Sequence, residues 1–131
     1  MHEIIFVSKP LPKEYDYLAP DGSEIRTLAD MNAGSLCHCI LPVGCISKAT
    51  KHKSVEEIWY CMSGKGIVWQ KNENGEDEKE FTAGDSFTIP RGNSFQFRNT
   101  GTEPLKIIIS TMPKWLGADE AVEVEGKWKG E

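Results

Sequence analysis

The sequence predicts an all-β protein, either a sandwich or a barrel of short strands. Turn-forming residues recur about every 8–12 positions, and the runs between them are rich in β-branched and aromatic residues. Helical periodicity extends nowhere beyond a turn or two. A chain of 131 residues fits one domain, which we expect to span residues 1–131.

The first half of the chain predicts three strands. We expect a first strand at residues 3–7, a short edge strand at residues 24–28 and a longer strand at residues 36–41. In the third strand Cys37, Cys39 and Leu41 share one face, and the other face is also mostly apolar. This strand is therefore expected to be covered on both sides.

The second half predicts a closely spaced series of strands followed by an irregular tail. Asn74-Gly75 is the strongest hairpin signal in the sequence. Residues 113–131 contain two tryptophans and little periodicity, so we expect a tail that packs over the barrel mouth or against a partner. The predicted strands lie at residues 47–52, 57–62, 67–71, 78–82, 86–89, 95–98 and 105–111.

Composition excludes several function classes. The net charge is −5 and no long basic run exists, so no nucleic-acid partner is expected. No stretch of about 18 apolar residues occurs, so no membrane span is expected either. The N-terminus lacks the pattern of a signal peptide. We expect a cytoplasmic protein whose four cysteines are reduced thiols.

Two glycine-bounded motifs carry a resemblance to a known family. The first reads Gly44-x5-Thr50-x-His52-x4-Glu57-x6-Gly64, and the second reads Gly84-x5-Pro90-x-Gly92-x2-Phe95-x3-Asn99. Both have every spacing of the two cupin motifs, Gly-x5-His-x-His-x4-Glu-x6-Gly and Gly-x5-Pro-x-Gly-x2-His-x3-Asn. The sequence thus resembles the cupins over about residues 36–111. The resemblance implies a double-stranded β-helix, or jelly-roll barrel.

The same motifs depart from the cupin pattern at the metal ligands. The resemblance implies that three histidines and one glutamate would hold a metal inside the barrel. Here His52 and Glu57 remain, but Thr50 and Phe95 replace the first and last histidines. A catalytic divalent metal usually needs three protein ligands or more. We therefore expect no cofactor; a divalent metal on His52 and Glu57 with unorthodox ligands is the alternative.

The side chains that face inward predict a pocket for a small organic ligand. Thr50, His52 and Glu57 would form a polar cluster, and apolar residues would wall it. A mostly apolar pocket with a few convergent polar groups is typical of small-molecule sites. The expected walls are Trp59, Cys61, Phe95 and Phe97.

His52 and Glu57 are the candidate catalytic residues. Glu57 can act as a base and His52 as an acid near neutral pH. The structural alternative is a buried pair that persists from a metal-binding ancestor. Four lysines near the mouth can attract an anionic substrate or form an ordinary solvated face. They are Lys48, Lys51, Lys53 and Lys65.

Four functional hypotheses remain open. The first is a small-molecule-binding cupin without a complete metal site. The second is a metal-independent isomerase or epimerase acting on a sugar or sugar-phosphate-like substrate, and the third is a metal-dependent dioxygenase, decarboxylase or lyase. The fourth is a storage-like protein with a plugged barrel. We expect a homodimer that pairs through the strands at residues 36–41 and 57–62.

Overall fold

The computed structural model describes residues 4–129 and confirms the all-β, cupin-like fold class. Two antiparallel sheets contain the eleven strands of this region, with the orders β1-β2-β3-β10-β5-β8 and β11-β4-β9-β6-β7. Inward side chains from both sheets meet in one core. The strands are β1 (Tyr17–Leu18), β2 (Glu24–Met31), β3 (Gly34–Leu41), β4 (Thr50–His52), β5 (Glu56–Ser63), β6 (Lys65–Asn72), β7 (Gly75–Thr82), β8 (Ser86–Ile89), β9 (Ser94–Asn99), β10 (Leu105–Met112) and β11 (Ala121–Glu123).

Strand alternation follows the sequence pattern closely in the central strands. In β5 every second residue from Glu57 to Cys61 is buried, and the residues between them are about half exposed. In β10 the predicted inward residues Leu105, Ile107 and Ile109 are all buried. These two strands pair in the middle of the six-stranded sheet, so they fix which side chains enter the barrel.

The N-terminal prediction is wrong. Residues 4–7 form no strand and their apolar side chains are exposed, while Glu3 lies outside the described residues. A β-prone run needs a sheet edge with which to pair, and here the edge beside β2 is occupied by β1. The predicted edge strand at residues 24–28 is longer than expected and is not at the edge, because it lies between β1 and β3.

The predicted hairpin exists with its turn one residue earlier. Asn72 and Gly75 are the last paired residues of β6 and β7, so the two turn residues are Glu73 and Asn74. The side chain of Asn72 accepts a hydrogen bond from the Asn74 amide at 2.8 Å, which supports this turn locally.

The C-terminal tail covers the outer face of the five-stranded sheet. Gln96 points out of the barrel, as parity predicts, yet the tail buries it. The side-chain amide of Gln96 donates a hydrogen bond to the Trp128 carbonyl at 2.8 Å and accepts one from the Trp128 backbone amide at 2.9 Å. Gly126 is required at this contact, since a Cβ there would lie 2.5 Å from the Gln96 amide oxygen. The Arg98 guanidinium lies 5.5 Å from the Trp128 ring.

Within residues 4–129 no helix is long and apolar enough to cross a membrane. The four cysteines are unpaired thiols, as the sequence predicts. Cys39 and Cys61 are buried, whereas Cys37 and Cys45 are partly buried.

Candidate functional site

A half-open cavity lies between the two sheets at one end of the barrel. It offers about 120 Å³ of space to water, enough for roughly four water molecules or one small organic molecule. Five of the predicted site residues line it. They are Thr50, His52, Glu57, Trp59 and Phe95.

Glu57 is the buried carboxylate of the cavity. It is only 7% exposed, and its two oxygens accept hydrogen bonds from Trp59 Nε1 at 2.9 Å and from Thr111 Oγ1 at 2.6 Å. Strand geometry explains both contacts, because Trp59 is two residues along the same face and Thr111 is the cross-strand partner of Glu57.

The environment of Glu57 raises the pKa of its carboxyl group. Burial is the largest cause; the nearby His52 and the hydrogen bonds from Thr111 and Trp59 oppose it without cancelling it. The carboxyl group therefore takes up a proton more readily than an ordinary glutamate. This property suits a group that exchanges protons or accepts a hydrogen bond from a ligand.

His52 completes the polar cluster without bonding to Glu57. Its Nδ1 atom is 4.0 Å from Glu57 Oε1, which is too far for a hydrogen bond. The ring is 6% exposed, and Nδ1 has no hydrogen-bond partner among the described residues. Phe95 and Trp115 hold the imidazole in place at ring-centroid distances of 5.1 and 5.6 Å. The buried ion pair considered from the sequence is therefore not hydrogen-bonded directly.

Asp21 is a second buried carboxylate in the lining. Its Oδ1 atom accepts hydrogen bonds from the Ser23 amide at 3.0 Å and from the Ser23 hydroxyl at 2.6 Å. Burial raises the pKa of Asp21, while Ser23 and His52 act in the opposite direction. The sequence shows this residue only as part of a Pro-Asp-Gly turn, which normally indicates exposure.

Tyr17 and Cys37 add two weakly acidic groups to the same wall. Burial, together with Glu57 and Asp21, raises the pKa of the Cys37 thiol to about 12. Burial and the neighbouring Cys37, Asp16 and Glu57 raise the pKa of the Tyr17 phenol to about 12. Both groups stay protonated at neutral pH, so they can donate hydrogen bonds but are poor nucleophiles.

Residues 113–123, here called the strap, cross the open end of the cavity. The Trp115 amide donates a hydrogen bond to Ser35 Oγ at 2.9 Å, and its ring lines the cavity beside His52. Further along, Glu120 accepts hydrogen bonds from the amides of Ser54 and Val55. β11 then pairs with β4. The expected packing of the tail over the mouth is thus observed, and Trp115 is a wall residue that sequence reasoning did not assign.

Two predicted wall residues and the basic cluster lie away from the cavity. Cys61 and Phe97 point inward, but they are fully buried deeper in the core and do not line the space. Lys48, Lys51, Lys53 and Lys65 are exposed and none of them lines the cavity. The sequence pattern predicted that Cys61 and Phe97 point inward, but it did not predict how deep in the barrel they lie. Nor did proximity to the motifs place the four lysines at the cavity.

The donor set does not fit the metal site that the cupin resemblance implies. Among residues 4–129, no group of three or more His, Cys, Asp or Glu side chains is placed to hold an ion. Thr50 and Phe95 occupy the two missing ligand positions, facing each other across β4 and β9. Both oxygens of Glu57 already accept hydrogen bonds. His52 and Glu57 are thus two donors where three or more are usual.

Comparison with known proteins identifies the family. The family model described as Cupin domain matches residues 37–111. A curated relative, Uncharacterized protein MJ1618 of Methanocaldococcus jannaschii, is 34% identical over 123 residues, which cover 87% of this chain and 95% of the relative.

Solved structures agree on the fold. BH2720 from Bacillus halodurans has a TM-score of 0.65 at 22% identity, over 71% of this chain and 72% of that one. The Lactobacillus farciminis oxalate decarboxylase formate complex has a TM-score of 0.67 at 20% identity, over 78% of this chain and 31% of that one. The motif spacings, the two-sheet barrel and the matched relatives agree, and the chain belongs to the cupin domain family.

Proposed function

We propose that this chain is a small-molecule-binding cupin whose cavity works without a resident divalent metal. The observation that carries the proposal is the cavity itself, where His52 presents a ring nitrogen with no hydrogen-bond partner among residues 4–129, beside the buried Glu57 carboxylate. Aromatic rings surround this polar pair. A polar pair left buried without a mutual hydrogen bond costs stability, which a bound ligand can offset.

A thermal-shift screen with parallel metal analysis tests this proposal. A ligand present at about 100 times its Kd stabilises the folded state by roughly 2.7 kcal/mol, which raises Tm by several degrees in a domain of this size. We expect small ring-containing fragments to raise Tm and the purified protein to contain no stoichiometric transition metal. A stoichiometric metal would instead support the metal-dependent dioxygenase, decarboxylase or lyase alternative. A screen with no stabilising fragment would instead support the fourth hypothesis, a storage-like protein with a plugged barrel.

A proton-transfer enzyme is the second candidate function, because Glu57 and His52 face the same space 4.0 Å apart. The raised pKa of Glu57 suits a general base or acid. An isomerase or epimerase of this kind would act on a neutral sugar-like substrate more readily than on a sugar phosphate, because no Lys or Arg of the described residues lines the cavity. Once a ligand is found, loss of turnover with retained binding in Glu57→Gln would support this candidate over a pure binding protein.

The outer face of the six-stranded sheet supports a homodimer in our proposal. The tail covers the corresponding face of the other sheet, whereas this face leaves apolar side chains from β3 and β5 that are 37–49% exposed. A second copy would bury them. Light scattering should show a dimer, and Tyr60→Lys should shift it to a monomer. The exposed residues are Leu36, Ile58, Tyr60 and Met62.

A cytoplasmic location without a nucleic-acid or membrane partner completes the proposal. Free thiols at all four cysteines support a reducing compartment. Fractionation of the cells that make the protein would test the location directly, and recovery in the membrane or the secreted fraction would contradict it.

A further inference from the structure

The charged groups of the cavity are of one sign. Within residues 4–129, three carboxylate residues, Asp21, Asp30 and Glu57, are part of the lining, and no Lys or Arg is. The hydrogen-bond donors to Asp21 and Glu57 are neutral groups of Ser23, Trp59 and Thr111. A buried carboxylate normally has a cationic partner. In the part of the chain that the structure describes, the nearest candidate partner for these two is the imidazole of His52.

His52 gives this acidic lining a defined point of attachment. The ring is more than nine-tenths buried, and its Nδ1 atom has no partner among residues 4–129. Since Nδ1 and Glu57 Oε1 are 4.0 Å apart, one ligand nitrogen can lie about 2.9 Å from both atoms at once. A primary ammonium group carries three hydrogens and can donate to both acceptors.

The rest of the cavity is suited to a ring. Trp59, Phe95 and Trp115 line the space around His52 and present aromatic surfaces to it. Aromatic faces attract a cation as well as an apolar ring. The cavity offers about 120 Å³, somewhat less than the enclosed cavity of about 150 Å³ that holds a benzene molecule in another protein, but it is half open, so part of a ring can lie in the opening.

We propose that the cavity binds a small organic amine with one apolar ring, whose ammonium group bridges His52 Nδ1 and Glu57 Oε1, and that it rejects organic anions. This inference rests on the proposed binding function and adds the chemical class of the ligand. The ammonium group supplies the cation that the acidic lining lacks, and the ring fills the space between the aromatic walls. A carboxylate or phosphate would instead meet two buried carboxylates and, among residues 4–129, no Lys or Arg in the lining.

Three probes of nearly equal size test the inference by calorimetric titration at neutral pH. They are benzylamine, benzyl alcohol and benzoate, which differ mainly in carrying a cation, a neutral donor and an anion. We expect benzylamine to bind at least about ten times more tightly than benzyl alcohol, which is the effect of about 1.4 kcal/mol. Benzoate should give no measurable binding.

Two variants locate the charge that causes this preference. Glu57→Gln keeps one acceptor for Trp59 and one donor for Thr111 but removes the charge, so benzylamine affinity should fall about ten-fold and benzyl alcohol affinity should change less than three-fold. Asp21→Asn serves if Glu57→Gln fails to fold, and it should weaken benzylamine binding in the same direction. Glu76→Gln is the matched control, because Glu76 accepts a hydrogen bond from Trp69 outside the cavity.

The possible failures separate this inference from the proposed function. Tighter binding of benzoate than of benzylamine would overturn the amine inference and leave small-molecule binding intact. The same holds if benzylamine binds with equal affinity to the wild type, Glu57→Gln and Asp21→Asn, or if the thermal-shift screen finds ligands but none is an amine. If no fragment of any charge binds, the proposed function itself is wrong.

Discussion

The two ends of the barrel interior differ in a way that strand parity does not show. In β5 the inward residues Glu57, Trp59 and Cys61 follow one another on one face, yet the first two line the cavity and the third is sealed in the core. In β9 the same step separates Phe95, at the cavity, from Phe97, which is fully buried. The barrel is therefore hollow at one end, where a few polar groups lie among apolar walls, and solid and apolar at the other.

In the function proposed above, the two ends have different roles: one end stabilises the fold and the other binds the ligand. The solid end supplies close packing, which is where most stabilisation of a small domain comes from. The hollow end contains buried carboxylates whose pKa values are raised by burial, which costs stability at neutral pH. Buried carboxylates that lower stability at one end only are consistent with the ligand site proposed there.

The largest contrast should appear when one phenylalanine from each end is truncated. Phe97→Ala leaves an empty space in the solid core and should cost about 3–5 kcal/mol of unfolding free energy. Phe95→Ala widens a space that water already reaches, so its cavity cost should be smaller and the total lower by about 1 kcal/mol or more. Urea unfolding of both variants measures the difference. An equal or larger cost for Phe95→Ala would remove the distinction between the two ends.

An intermediate effect is expected at the anchor of the strap. Burial alone would raise the pKa of Glu120, but hydrogen bonds from Ser54 and Val55 outweigh it and lower that pKa below its ordinary value of 4.5. Glu120→Ala leaves the two amides without their acceptor and should cost about 1–3 kcal/mol.

Two further features sharpen the Glu120 experiment. The contribution of Glu120 is present above pH 4.5 and is lost as the pH falls through the lower folded-state pKa. The gap between wild type and Glu120→Ala should therefore narrow in acid, as thermal unfolding at several pH values would show. Glu123→Ala, an exposed change in the same strap, is the control. A similar loss in both variants would mean that the anchor contributes little of its own.

The smallest effect on stability, and the most specific in its pH dependence, belongs to Glu57→Gln. Because burial raises the folded-state pKa of Glu57, the folded protein holds the proton of this carboxyl group more tightly than the unfolded chain does. The stability that this proton contributes is complete below pH 4.5, the ordinary pKa, and is lost as the pH rises through the folded-state pKa. The unfolding free energy of the Gln variant lacks this dependence on pH. At neutral pH it should differ from that of the wild type by less than about 2 kcal/mol.

The measurement is the difference in unfolding free energy between wild type and Glu57→Gln from pH 4 upward. The variant should gain relative to wild type as the pH rises, while Glu76→Gln, at an exposed carboxylate, should follow wild type. A difference that does not change with pH would contradict the assignment of Glu57 as a buried carboxylate with a raised pKa.

Much of the fold was predictable because it depends on local spacing. The turn rhythm, the motif glycines and the period-2 alternation predicted the central strands and the inward direction of Glu57, Trp59 and Phe95. What failed depends on distant parts of the chain. Residues 4–7 have strong strand propensity but no free edge beside β2 with which to pair.

The site was predictable in part for the same reason. Five of its members lie on motif strands, where parity gives direction. Asp21 lines the cavity from the connection between β1 and β2, and Trp115 lines it from the strap, where its amide donates a hydrogen bond to Ser35 Oγ. Neither residue has a local pattern that distinguishes it from an exposed turn or tail residue. The distance of a residue from the cavity, which distinguishes Cys61 from Trp59, likewise depends on how the two sheets pack against each other.

The four tryptophans offer the most direct measurement of the central claim, that the hollow end is a ligand site. Trp59 and Trp115 line the cavity, whereas Trp69 bonds to Glu76 and Trp128 packs on the outer face with Gln96. Each indole gives one cross-peak in a ¹⁵N–¹H correlation spectrum. During titration with benzylamine and with any fragment that raises Tm, the Trp59 and Trp115 peaks should move and those of Trp69 and Trp128 should stay. Movement confined to Trp69 and Trp128, or none with a fragment that stabilises the fold, would contradict the claim.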